Sequence, residues 1–213
     1  MFKEIVELQN EFNKKVHPNW IEQNYNWNSA IIVESGELLE SYGYKWWKSQ
    51  EQAIENVKVE AIDLLHFVIS DYMQQQYNDY HKEFEHGFDF YTDDTFDECR
   101  ICFSYHDEQQ HDMLELIDTL NQETDSRFST MKSIFEHLNM SNEDVYLAYI
   151  IKNCLNEFRQ KHGYKEGTYI KDWNAKEDNE VAYEIANEWG AEDLTYDQLM
   201  IDLEAYYISE VLK

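Results

Sequence analysis

Two pairs of acids stand out for their spacing. Glu34 and Glu37 lie three residues apart inside the apolar run "NSAIIVESGELLE", and Glu60 and Asp63 repeat that spacing inside "VKVEAIDLLHFVIS". Residues three apart share one face of a helix. A carboxylate removed from water is costly unless a cation or hydrogen bonds compensate it, and four gathered together repel strongly. Either some are protonated or hard cations neutralise them, and oxygen-only ligands suit Mg2+ or Mn2+. Ordinary surface acids of an acid-rich chain are the plain alternative. The apolar neighbours Ile31, Ile32, Val33, Leu38, Ile62, Leu64 and Leu65 favour the metal site.

A cationic counterpart lies late in the chain. Between positions 152 and 176, Lys152, Arg159, Lys161, Lys165, Lys171 and Lys176 are opposed by Glu157, Glu166 and Asp172, a local +3 within a chain of −27. Lys152 and Arg159, seven apart, project from one side of a helix with Asn156. Cations on some oxygens and guanidinium or ammonium groups on others are what a polyphosphate needs. A solvated basic face with local ion pairs is the alternative.

Other chemistry reads more weakly. His66, three past Asp63, raises a di-iron carboxylate arrangement, but Glu34 and Glu37 lack the matching histidine three residues on. His66 therefore reads as a buried histidine that braces its neighbours. Cys99 and Cys102, with His106 and His111 downstream, are spaced too tightly for a zinc finger and read as free thiols.

The elements that must position these groups follow from periodicity. Residues 2 to 16 form a first helix ended by Pro18, and a second runs from about Asn28 to Ser41. Ser49 with Gln52 resembles a capping box opening a long helix to about Gln75, apolar on nearly every side and therefore central. Its return after the 22 residues between Glu37 and Glu60 can bring all four acids together by antiparallel packing. Residues 76 to 110 read as an irregular insertion. Helical patterns recur at Met113 to Leu120 and Met131 to Leu138, and Ser141 with Asp144 caps a helix reaching Gln160. Gly163 marks its stop. "GYKEGTYIKDWNAKEDN" is an ordered loop, and final helices span about 177 to 189 and 196 to 211, the last introduced by Thr195 and Gln198.

One proline and six glycines in 213 residues force few turns, which favours helices. The expectation is an all-α helical bundle in one domain, residues 1–213, with a core of about 1–75 and 141–213 and a helical or irregular insertion over about 76–140. The net charge argues against nucleic acid as a partner. No stretch approaches the roughly 20 apolar residues of a membrane span, nor does the amphipathic N-terminus suit a signal peptide. Three cysteines fit a reducing, cytoplasmic compartment.

"ESGELLE" with "EAIDLLHF" resembles the paired ExxE and ExxD signature of the all-α NTP pyrophosphohydrolase (MazG-like) superfamily. More narrowly, "KNCLNEFRQKHGYKEGTYIKDWNAKEDNE", "YKWWK" and "LQNEFN" are similar to the all-α dimeric dUTPase family with its dCTPase/dUTPase relatives. The likeness covers roughly residues 5 to 72 and 146 to 182. It implies Glu34, Glu37, Glu60 and Asp63 as Mg2+ ligands, and Glu37 as the carboxylate that orients and deprotonates the attacking water. It implies Lys152, Arg159, Tyr164 and Lys171 at the phosphates, and Gln9, Asn13, Trp47 and Asn156 around the nucleoside. The implied reaction takes dUTP to dUMP and pyrophosphate, with dUDP also accepted, in a homodimer. A dCTP-directed or broader MazG-like pyrophosphohydrolase is the alternative.

Overall fold

The computed structural model describes residues 2–80, 112–189 and 194–212. Helices dominate them: α1 (Phe2–Val16), α2 (Trp27–Tyr42), α3 (Ile54–Tyr80), α4 (Met113–Gln122), α5 (Arg127–His137), α6 (Asn142–Lys161), α7 (Asp178–Trp189) and α8 (Tyr196–Tyr206), the last continued by a π-helical turn over Tyr207–Val211. The all-α expectation holds. Two short strands, β1 (Asp172–Trp173) and β2 (Lys176–Glu177), pair antiparallel with Trp173 opposite Lys176. The chain divides into two compact units, Met1–Val145 and Tyr146–Lys213.

In the first unit α3 is the axis. Val57, Ala61, Ile62, Leu64, Leu65, Val68, Ile69 and Met73 are buried, a set too broad for a single stripe. The helix accordingly packs against α1, α2 and α5. Each of these side chains other than that of Ala61 stabilises the fold by about 1.5–3 kcal/mol when withdrawn from water. The helix runs to Tyr80, so residues 76–80, expected in an irregular insertion, are helical. Once the buried part has nucleated the helix, each added residue gains a hydrogen bond at little further cost. Cys99, Cys102, His106 and His111 lie outside the described residues.

Local chemistry sets the ends of α2. The Asn26 side chain accepts from Ser29 N at 3.1 Å and caps its start. Gly43, at φ 75°, ends it, its N–H donating to the Glu40 carbonyl. The capping box expected at Ser49 does not form, and α3 begins at Ile54. The intervening chain folds back on α2 instead. Gln50 accepts from Lys45 N at 3.3 Å and donates to the Glu40 carboxylate at 3.1 Å, while Ala53 N donates to Ser41 O at 2.9 Å. The expected box at α6 is present and reciprocal: Ser141 N donates to Asp144 Oδ2 at 2.8 Å, and Asp144 N to Ser141 Oγ at 3.1 Å.

The second unit closes around Phe158, Trp173, Leu155, Leu199, Leu203 and Tyr207. Trp173 is fully buried, its indole N–H donating to Ile170 O at 2.8 Å. The loop expected over 163–179 is ordered and contains the β1–β2 hairpin, turned by Asn174 and Ala175 at φ 55° and 66°. Strands of two residues are too short to leave a periodic trace in the sequence.

Candidate active site

The acid cluster is built by α2 and α3. The two run antiparallel: Gln74, late on α3, accepts from the Trp27 indole at 3.1 Å, while Glu34 and Glu37 meet Glu60 near the start of α3. Carboxylate oxygens of Glu34, Glu37 and Glu60 lie within 4.8 Å of one another. Glu37 is exposed, and Glu34 and Glu60 are half-buried. Three acids converging on one point form an all-oxygen donor set suited to a hard divalent cation, whose charge would relieve their repulsion. Asp63, one turn along α3 from Glu60, is half-buried and stands outside that 4.8 Å group.

A buried chain of amides joins α1 to α3. The Gln9 amide donates to Asn13 Oδ1 and to Ser70 Oγ, both at 3.0 Å, and Asn13 Nδ2 donates to the same Ser70 Oγ at 3.0 Å. The Ser70 hydroxyl in turn donates to the His66 carbonyl at 2.9 Å. Gln9 Oε1 can only accept, so His66 Nδ1, 2.6 Å away, carries the proton. The expectation of a buried, bracing His66 matches this geometry. Ser70 was not singled out by sequence, because a lone serine in an apolar helix gives no signal until its partner on α1 is known. Trp47 stands apart from these side chains in character: it is 58 % exposed, with edge contacts to Tyr44 and Trp46.

In the second unit the basic residues divide: Lys161, Lys165, Lys171 and Lys176 are exposed, as a solvated face with local ion pairs would have them, whereas two are not. Lys152 and Arg159 are buried, at 3 % and 8 % exposure. Arg159 grips the fully buried Asp178 through Nε and Nη2, both at 2.8 Å, and donates from Nη1 to Asn156 Oδ1 at 3.2 Å. Lys152 donates to Asn179 Oδ1 at 3.1 Å. The Tyr169 hydroxyl also donates to Asp178, at 2.8 Å. Burial pushes its phenol well above the ordinary range, and the neighbouring Asp178 adds to this, so Tyr169 remains a donor. Arg159 also stands over the Tyr164 ring, 5.9 Å from its centroid. A bidentate fork holds the guanidinium in one plane.

Tyr164 and Lys171 lie on the loop after α6, Tyr164 being 49 % exposed and Lys171 paired with Glu177 at 3.4 Å. Asp178 and Asn179, the partners that fix Arg159 and Lys152, sit in the "EDN" string but carried no assigned role in the sequence. An acid among many acids gives no sign that it will be the one buried.

A family model described as dUTPase matches residues 1–164 of the chain. No curated protein matches it.

Proposed function

The chain belongs to the dUTPase family, and from that premise we propose how its own residues carry out the hydrolysis of dUTP to dUMP and pyrophosphate. The observation that carries the reading is the convergence of Glu34, Glu37 and Glu60. Glu34, Glu37, Glu60 and Asp63 hold Mg2+, with Mn2+ able to replace it. When bound, the metal neutralises charge on the phosphate oxygens and lowers the pKa of water. Glu37, the exposed member of the cluster, orients the attacking water and takes its proton.

Lys152, Arg159, Tyr164 and Lys171 carry the phosphates. The support for Arg159 is its fixed plane, since a donor already oriented by Asp178 need not be ordered when the substrate arrives. Gln9, Asn13, Trp47 and Asn156 hold the nucleoside. An exposed indole can pack on a pyrimidine, and amides offer both a donor and an acceptor to its edge. The resemblance to dimeric dUTPases supports a homodimer that also accepts dUDP. Ile32 and Val33 of α2, 58 % and 57 % exposed, are suitable for covering by a second copy. Among the described residues no helix is long and apolar enough to cross a membrane; a cytoplasmic location is part of the same reading.

A nucleotide panel tests the substrate reading. Incubation with dUTP, dUDP, dCTP, dTTP and UTP in turn, with Mg2+, should give the highest kcat/KM for dUTP, with dUMP and pyrophosphate as products. A higher ratio for dCTP would favour the alternative, and no pyrophosphate from dUTP would refute the reading.

A further inference from the structure

The metal acids come from two helices, and a bundle's apolar contacts do not by themselves fix how far one helix slides along another, since hydrophobic attraction is non-directional. One residue of slippage is about 1.5 Å, enough to disperse a cluster held within 4.8 Å. The connection from α2 to α3, residues 43–53, is tied back to the end of α2 by Gln50 and Ala53, so the far ends of the two helices need ties of their own.

Arg127 opens α5 and is only 3 % exposed. A cation at a helix N-terminus opposes the helix dipole, so its partners must account for its position. Its Nη1 forms a buried ion pair with Asp71 of α3, its Nη2 donates to Asn28 of α2 at 2.5 Å, and its Nε donates to the Leu120 carbonyl of α4 at 3.2 Å. A single planar fork thus bridges α2 and α3 through a third element. The two residues it joins lie on the same antiparallel pair of helices as the acids, Asn28 nine residues before Glu37 on α2 and Asp71 eleven after Glu60 on α3.

Two further ties repeat along α2. Asn121 of α4 donates to Ser35 Oγ at 3.0 Å, and His137 at the end of α5 shares a 3.2 Å hydrogen bond with the Tyr42 hydroxyl. Asn28, Ser35 and Tyr42 are spaced by seven, so the α4–α5 pair grips one face of α2 at its start, middle and end. Ser35 is the residue next to Glu34.

We propose that Arg127 is a positioning residue for the metal acids, a bolt that locks α2 and α3 in the axial register at which Glu34, Glu37 and Glu60 converge. This rests on reading those acids as metal ligands. Calorimetric titration of Mn2+ into the full chain, without nucleotide, tests it on the wild type, Arg127→Met and Asn28→Ala. Asn28 is exposed, and its truncation leaves the Arg127–Asp71 pair in place. Both variants should keep the wild-type circular dichroism yet bind Mn2+ about tenfold more weakly, the scale seen when groups that orient ligands are lost. A merely structural role would lower the melting temperature and leave the affinity unchanged. Should Arg127→Met fail to fold, Asn28→Ala decides alone. Wild-type binding with unaltered affinity in the folded variants overturns the bolt alone, whereas a wild type that binds no Mn2+ overturns the metal reading and the bolt with it.

Discussion

Glu37 and Asp178 are acids with opposite tasks, set by their surroundings. Glu37 is exposed at the mouth of the carboxylate cluster, so Glu37→Gln removes a base while keeping the shape of the site. We expect kcat to fall by about 10²–10⁴, the usual worth of a general base, with nucleotide binding in a filter assay changed little; near wild-type turnover would remove Glu37 from the role. Asp178 is fully buried against Arg159. Asp178→Asn leaves the guanidinium facing a neutral partner away from water, which should cost about 3 kcal/mol in urea unfolding. A loss below about 1 kcal/mol would mean that the pair is more hydrated than its burial indicates. The spacing of Glu34, Glu37 and Glu60 made that cluster legible in the sequence. The pairing of Asp178 was not, because its partners lie 9 and 19 residues away in an order only the folded loop establishes.

Among the elements, the helices with chemical stops were the most legible. Gly163, at φ 86°, ends α6, and a Cβ there would stand 2.1 Å from Thr168 Oγ1, so both backbone and space require glycine. The capping boxes proved less uniform. Ser141–Asp144 formed, whereas Ser49–Gln52 did not, because the chain after Gly43 found better partners on α2. Hydrogen bonds from Ser141, first from its backbone N–H and then its hydroxyl, hold Asp144 below its ordinary value of 3.8. A depressed carboxylate stabilises the fold above its unfolded value, and that contribution is lost as pH falls through the folded one. Asp144→Ala should therefore cost about 0.5–1 kcal/mol at pH 7, and the gap from wild type should narrow as the pH drops below about 3.8. A gap independent of pH would show that the charge of Asp144 takes no part in the cap. The α4–α5 pair was legible as two helical patterns but not as a support for α2. The side-chain partners of Arg127, Asp71 and Asn28, are 56 and 99 residues away.

For the molecule as a whole, family membership and local chemistry point the same way. A chain of net charge −27 that acts on a polyanion must offset its own field where the substrate binds, and on the proposed reading divalent cations held by the acid cluster would do so. The sequence conveyed that logic through two spaced pairs and one basic string. It did not reveal that Lys152 and Arg159 are buried, since burial follows from the packing of distant segments rather than from spacing. The central claim is that Glu34, Glu37 and Glu60 bind the cation that dUTP hydrolysis requires. Pyrophosphate release from dUTP should therefore be measured against Mg2+ concentration for the wild type and Glu60→Gln. The account predicts no turnover in chelator, saturation as Mg2+ is added, and a half-saturating concentration at least tenfold higher in Glu60→Gln. Undiminished turnover in chelator, or the same Mg2+ dependence in both proteins, would contradict it.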